Sequence, residues 1–144
     1  SYIETPLKYY FSDVGLRNAK LNFRQQEENH IMENILYNEL KARGFNVDVG
    51  VVPVRSKDAD GKSRLSNLEV DFVINKGEKR YYIQSALSIS EEGKRLQEVN
   101  SLNRIDDSFS KIVISRDDTL SWTDESGVRY INVEDFLLQE INGL

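Results

Sequence analysis

The chain has 144 residues, 39% of them hydrophobic, with seven Tyr, six Phe and one Trp; this is enough apolar surface for one globular domain and too much for a disordered segment. Nineteen Lys and Arg against 24 Asp and Glu leave a formal charge of −5, which disfavours nucleic acid unless the cations gather on one face. With no Cys and one His, the chain has no disulfide or thiolate chemistry and no His-rich zinc site, and the absence of Cys fits a cytoplasmic protein.

No apolar run is long enough to cross a bilayer and no signal-like segment opens the chain, so no membrane partner is expected. Residues 1–144 read as a single domain. The first residue is Ser rather than Met, from which we expect a further module N-terminal to this one.

In chain order, Leu7–Ser12 is an aromatic strand ending at Asp13, which is placed to cap a short helical turn from Val14 to Lys20. A stronger helix is predicted from Gln26 to Arg43, stopped by Gly44. Ile31, Met32, Ile35, Leu36 and Leu40 form its apolar stripe. Glu33 lies about 60° around the helix from Leu36 and borders that stripe, where its carboxylate either reaches a neighbouring strand or bonds locally to backbone or Tyr37. His30 reads as a helix-surface residue.

Phe45–Val54 is predicted as a core strand closed by Pro53, which cannot donate to a ladder. Arg55–Asn67 is polar and reads as an exposed loop. Asp58, Asp60 and Gly61 within it faintly resemble a calcium loop but lack the closing Glu.

Two strands follow, Leu68–Ile74 and Arg80–Ala86. Val70, Phe72 and Ile74 alternate with Glu69, Asp71 and Val73, the pattern of a strand with one buried face. A Gly77-Glu78 turn of type II′ pairs Lys76 with Lys79 and sets Asp71 opposite Gln84; a turn at Lys76-Gly77 sets Glu69 there instead. Either register places Glu69, Asp71, Gln84 and Ala86 on one side.

Ser90 is predicted to cap a helix from Glu91 to Ile105, with Leu96, Val99 and Leu102 facing inward. Lys111–Ser115 is a buried strand, Ser121–Gly127 a turn region whose Trp122 folds back over the sheet or meets a partner, Val128–Ile131 a last strand, and Val133–Ile141 a final helix through Phe136, Leu137 and Ile141. This order implies an α/β fold, a mixed central β-sheet flanked by helices.

Several motifs along the chain carry a family resemblance. They are Lys8-Tyr9-Tyr10-Phe11-Ser12-Asp13-Val14-Gly15-Leu16, Glu33-Asn34 with Glu39-Leu40, Glu69-Val70-Asp71-Phe72, Gln97-Glu98 with Leu102, and Asp135-Phe136-Leu137-Leu138. Together they resemble the C-terminal domain of unknown function that follows the ATPase module in bacterial and archaeal AAA-type ATPases, a domain of the PD-(D/E)XK nuclease-like superfamily. The resemblance implies a restriction-endonuclease-like core, an ATP-binding module in the missing N-terminal part, and a bacterial or archaeal cytoplasmic protein.

In the resembled superfamily the first helix gives one acid to a metal site, here Glu33, and a strand gives a second, here Asp71, facing an acid-x-lysine on the next strand. This chain reads Gln84-Ser85-Ala86 there, and Gln97-Glu98 stands where the family shows Arg-Glu. The site is therefore degenerate at Gln84 and Ala86: no catalytic residue and no cofactor are expected in this domain, and Glu33 and Asp71 remain as candidate metal ligands. The leading expectation is a non-catalytic accessory domain contacting the ATPase module of its own chain, other proteins or neighbouring subunits. An active nuclease is the alternative, with magnesium between Asp71 and Glu33 and a lysine migrated from Lys79, Lys94 or Lys111. A further alternative holds DNA without cleaving it, which the acidic balance opposes.

Overall fold

Between Val14 and Ala42 the sequence holds no proline and, after Gly15, no glycine, so nothing interrupts a helix once it has started. In the computed structural model, which describes residues 14–90 and 92–138, the two helical segments predicted separately form one 29-residue helix, α1 (Val14–Ala42). Its end follows from Gly44, whose φ of +88° no β-carbon opposes. The Gly44 amide then donates to the Lys41 carbonyl and the Phe45 amide to that of Leu40, satisfying the last carbonyls of the helix. The strand predicted at Leu7–Ser12, the Asp13 cap, Glu91 and Ile141 lie outside the described residues.

Among the described residues six strands form one mixed sheet in the order β1-β2-β3-β4-β6-β5. They are β1 (Asn46–Lys57), β2 (Ser63–Lys76), β3 (Lys79–Ala86), β4 (Ser110–Ser115), β5 (Trp122–Thr123) and β6 (Arg129–Asn132). β1 to β3 run as antiparallel hairpins, β4 lies parallel to both β3 and β6, and β5 pairs antiparallel with β6. Two further helices, α2 (Glu92–Asn103) and α3 (Val133–Leu138), complete the described chain. The architecture is thus α/β with a helix-flanked mixed sheet, and no helix among the described residues is long and apolar enough to cross a membrane.

Each face of the sheet has its own core. On one, Met32, Leu36 and Leu40 of α1 pack with Phe72, Ile74, Ile83, Ile112, Ile114, Ile131 and Phe136. On the other, Val99, Leu102 and Ile105 pack with Val54, Leu68, Val70, Val73, Tyr82, Val113 and Tyr130. Ile112 and Ile114 point one way and Val113 the other, which is why the apolar run of β4 has no polar alternation. Each fully buried aliphatic side chain contributes about 1.5–3 kcal/mol. Arg43 ties α1 to α3: its guanidinium lies 4.4 Å above the Phe136 ring and donates to the Phe136 carbonyl.

Four expectations are corrected. Ile31 and Ile35 are 54% and 43% exposed, because Met32, Leu36 and Leu40, at successive four-residue steps, make the buried apolar line that meets the sheet. Leu96 is 52% exposed, on the outer side of α2. The segment Arg55–Asn67 is no loop: β1 runs on to Lys57 and β2 begins at Ser63. Pro53 pairs with Asn67 without ending the strand, since β1 is the sheet's edge and needs no donor on its outer side. The Asp58 carboxylate accepts the amides of Asp60 and Lys62 at 3.0 and 2.9 Å, so the calcium-like spacing is turn chemistry.

Candidate functional site

The β2–β3 turn has Lys76 paired with Lys79 and Gly77 at a φ of +62°, with Glu78 at negative φ, as the type II′ reading requires. That register carries Phe72 opposite Ile83, where the regular ladder stops. On the other side of β2, Asp48 faces Val73 and the next pair is Gly50 with Val70, so Val49 alone opposes both Asp71 and Phe72. This is a β-bulge, and it reverses the inside-outside alternation of β2.

The predicted single greasy face of Val70, Phe72 and Ile74 is therefore corrected: Phe72 and Ile74 enter the α1-side core, whereas Val70 enters the α2-side core. Grouping Glu69, Asp71, Gln84 and Ala86 on one side fails for the same reason. Glu69 is exposed, and Ala86, 4% exposed, packs into the α2-side core while bordering the cleft described below.

The bulge aims Asp71 at Ser85. Asp71 Oδ2 accepts the Ser85 amide at 2.8 Å and the Ser85 hydroxyl at 3.0 Å. The Asp71 amide donates to Gln84 Oε1 at 3.1 Å, so Gln84 does lie beside Asp71, but it binds backbone rather than sharing a ligand position. Burial raises the Asp71 pKa above the ordinary 3.8, and the two Ser85 hydrogen bonds partly offset that.

Glu33 projects from α1 into the same cleft, which Gln25 and Asn29 of the helix and Gln84, Ser85 and Ser88 also line, with a volume of about 400 Å³. Burial is the first cause that raises the Glu33 pKa and repulsion from Asp71 the second, while His30 lowers it; His30 Nδ1 lies 4.0 Å from Glu33 Oε2. The loop that closes the cleft is fixed by the Ile89 amide, which donates to Asp117 Oδ2 at 2.6 Å.

Sequence reasoning thus found Glu33, Asp71 and Gln84 but missed Ser85, the middle residue of the degenerate motif, whose hydroxyl and amide both serve Asp71. It also missed Gln25, one residue ahead of the predicted helix, and Asn29, one turn before Glu33 on the same face.

Among the described residues that line the cleft there is no lysine or arginine. Lys79 sits at the turn, at the opposite end of β3 from Ser85. Lys111 donates to the carbonyls of Asp107 and Phe109 at 3.1 and 3.2 Å and lies 5.8 Å from the centre of the Tyr82 ring, on the α2 side. The side chains of Lys94 and Glu98 lie outside the described residues, and Gln97 is exposed. Among the described residues no three His, Cys, Asp or Glu gather as a metal-ligand group. Oxygen donors suited to a hard divalent cation are nevertheless present in Glu33, Asp71 and Gln84.

No family model matches the chain. An uncharacterized protein of Haemophilus influenzae is 32% identical to it over 138 residues, or 96% of the chain. The chain spans 30% of the length of that relative.

Proposed function

We propose that this is a non-catalytic accessory domain of a cytoplasmic AAA-type ATPase, built on a degenerate PD-(D/E)XK nuclease scaffold. The observation that carries the reading is the closure of Ser85 onto Asp71: amide and hydroxyl both donate to Oδ2, and Gln84 turns its carbonyl onto the strand. Hydrolysis of a phosphodiester by this scaffold needs a divalent cation and a nearby ammonium. The residues at the two matching positions, Gln84 and Ala86, supply neither a charge nor a proton donor for the leaving group. Losing one such preorganised group costs roughly 10²- to 10³-fold in rate. That the matching part makes up 30% of the Haemophilus relative favours a domain that works beside a larger neighbour, here read as the ATP-binding module.

The test is incubation with plasmid and single-stranded DNA in the presence of magnesium or manganese. No cleavage above background is expected. Cleavage that vanishes in Asp71→Asn overturns the proposal and establishes the nuclease alternative. One observation favours that alternative: Glu33 and Asp71 repel each other across the cleft, and a bound magnesium ion would relieve the repulsion. Calorimetric titration with magnesium decides it, since two ligating acids predict saturable heat lost in Glu33→Gln.

A further inference from the structure

A second cleft, of about 500 Å³, lies between α2 and the β5–β6 hairpin. Its wall is Trp122, the one Trp of the chain. The indole stacks on Tyr130 with ring centres 4.2 Å apart and an angle of 11°, yet remains 41% exposed. It is held rigidly from beneath. The Tyr130 hydroxyl donates to Asp124 Oδ2 at 2.7 Å, and Asp124 Oδ1 accepts the amides of Ser126 and Val128 and the Ser126 hydroxyl. Arg95 stands 5.5 Å from the Trp122 ring centre and 3.7 Å from Asp124 Oδ2. Among the described residues of the lining, Glu92, Asp124 and Glu125 outnumber Arg95, so the rim is net negative. Glu92, 79% exposed at its side chain, stands 3.7 Å from Arg95, the same distance as Asp124, and Glu125 is exposed. Leu96, half exposed, supplies an apolar shelf on the α2 side.

A fixed indole face, an adjacent leucine and a net negative rim form a receptor for a side chain that is apolar along its stem and cationic at its tip. Trp, Tyr and Arg are also the residues that concentrate binding energy in protein interfaces. We propose that this cleft docks a basic, leucine-containing segment of a partner protein, with an arginine or lysine laid over Trp122 and its charge directed at Glu92 and Glu125. The proposal is independent of the ATPase reading: it concerns the opposite side of the sheet from Asp71 and stands or falls without it.

The probe is a synthetic peptide of alternating leucine and arginine with no aromatic residue, compared with the same peptide carrying glutamate for arginine. Because Trp122 is the sole indole, its emission reports occupancy directly. Saturable change with the basic peptide and none with the acidic one is expected. Calorimetry of the Glu92→Lys/Glu125→Lys variant, whose changed positions are exposed, should show affinity lower by about tenfold or more, and Trp122→Ala the same. Unchanged affinity in the charge-reversed protein overturns the proposal, as does equal binding of the acidic peptide or an emission that does not respond at millimolar peptide. If short DNA duplexes or single strands change the emission while the basic peptide does not, a nucleic acid is the occupant and the proposal fails.

Discussion

Gly50 pairs with Val70 across the β1–β2 ladder: a β-carbon at Gly50 would stand 2.5 Å from the Val70 carbonyl oxygen and 3.0 Å from the Val73 side chain. The close approach exists because two residues of β2 crowd opposite Val49, so Gly50 and the bulge that aims Asp71 require each other. Gly50→Ala is expected to destabilise the fold by about 1–3 kcal/mol, as overpacking does. It should also shift the amide resonances of Asp71 and Ser85 more than those of β4. Urea unfolding and a two-dimensional amide spectrum check both.

The acids of the two clefts respond to pH with opposite sign. Glu33 and Asp71 have folded pKa values above 4.5 and 3.8, burial being the first cause for each. A carboxyl that holds its proton more tightly when folded stabilises fully below its unfolded value, and the contribution is lost as pH rises through the folded value. For Asp124 burial acts upward, but the hydrogen bonds from Tyr130, Ser126 and Val128 outweigh it and hold the pKa below 3.8. Its contribution is present above the unfolded value and lost as pH falls. Asp71→Asn should therefore remove part of the decline in stability just above pH 3.8, with little loss at neutral pH because an amide oxygen can still accept from Ser85. Unfolding free energies measured across pH for both proteins would reveal the difference.

Restoring one acid tests what the cleft lacks. Gln84→Glu places a third carboxylate beside Asp71 and Glu33, and should lower stability in metal-free buffer through repulsion. Added manganese should recover it, seen as a rise in melting temperature greater than that of the unaltered protein. Ala86→Lys, by contrast, would bury an ammonium in the α2-side core and should unfold the domain or cost several kcal/mol.

Tyr130→Phe keeps the ring beneath Trp122 but removes the hydroxyl that donates to Asp124. A loss of about 1–2 kcal/mol is expected, together with an Asp124 pKa raised relative to the unaltered protein, measurable by carboxyl carbon titration.

Much of the fold was legible because it rests on local chemistry. Gly77 set the turn, Gly44 ended the helix, and the apolar run Ile112-Val113-Ile114 announced a strand covered on both faces. What could not be read depends on neighbours. Pro53 looked like a terminator until its strand proved to be an edge, and Arg55–Asn67 looked like a loop because a ribbon with a solvated face has the polarity of one. The bulge left no mark on β2 itself; its signal was Gly50, on another strand, within a run whose alternation it did not disturb. Glu33 and Asp71 were singled out by the family resemblance, whereas Ser85 was overlooked because a serine between two other residues carries no charge to draw attention.

Only Phe72–Lys76 of β2 is paired with β3, so the remainder of that strand leans on β1 and on whatever Val54, Leu68 and Val70 contribute beneath it. Deuterium should consequently enter the backbone in a gradient, fastest around Ser63–Leu65 and slowest at Phe72–Ile74. Asp71 sits where the slow and fast portions meet, so the carboxylate inherits its steadiness from one neighbour along the chain and not from the other.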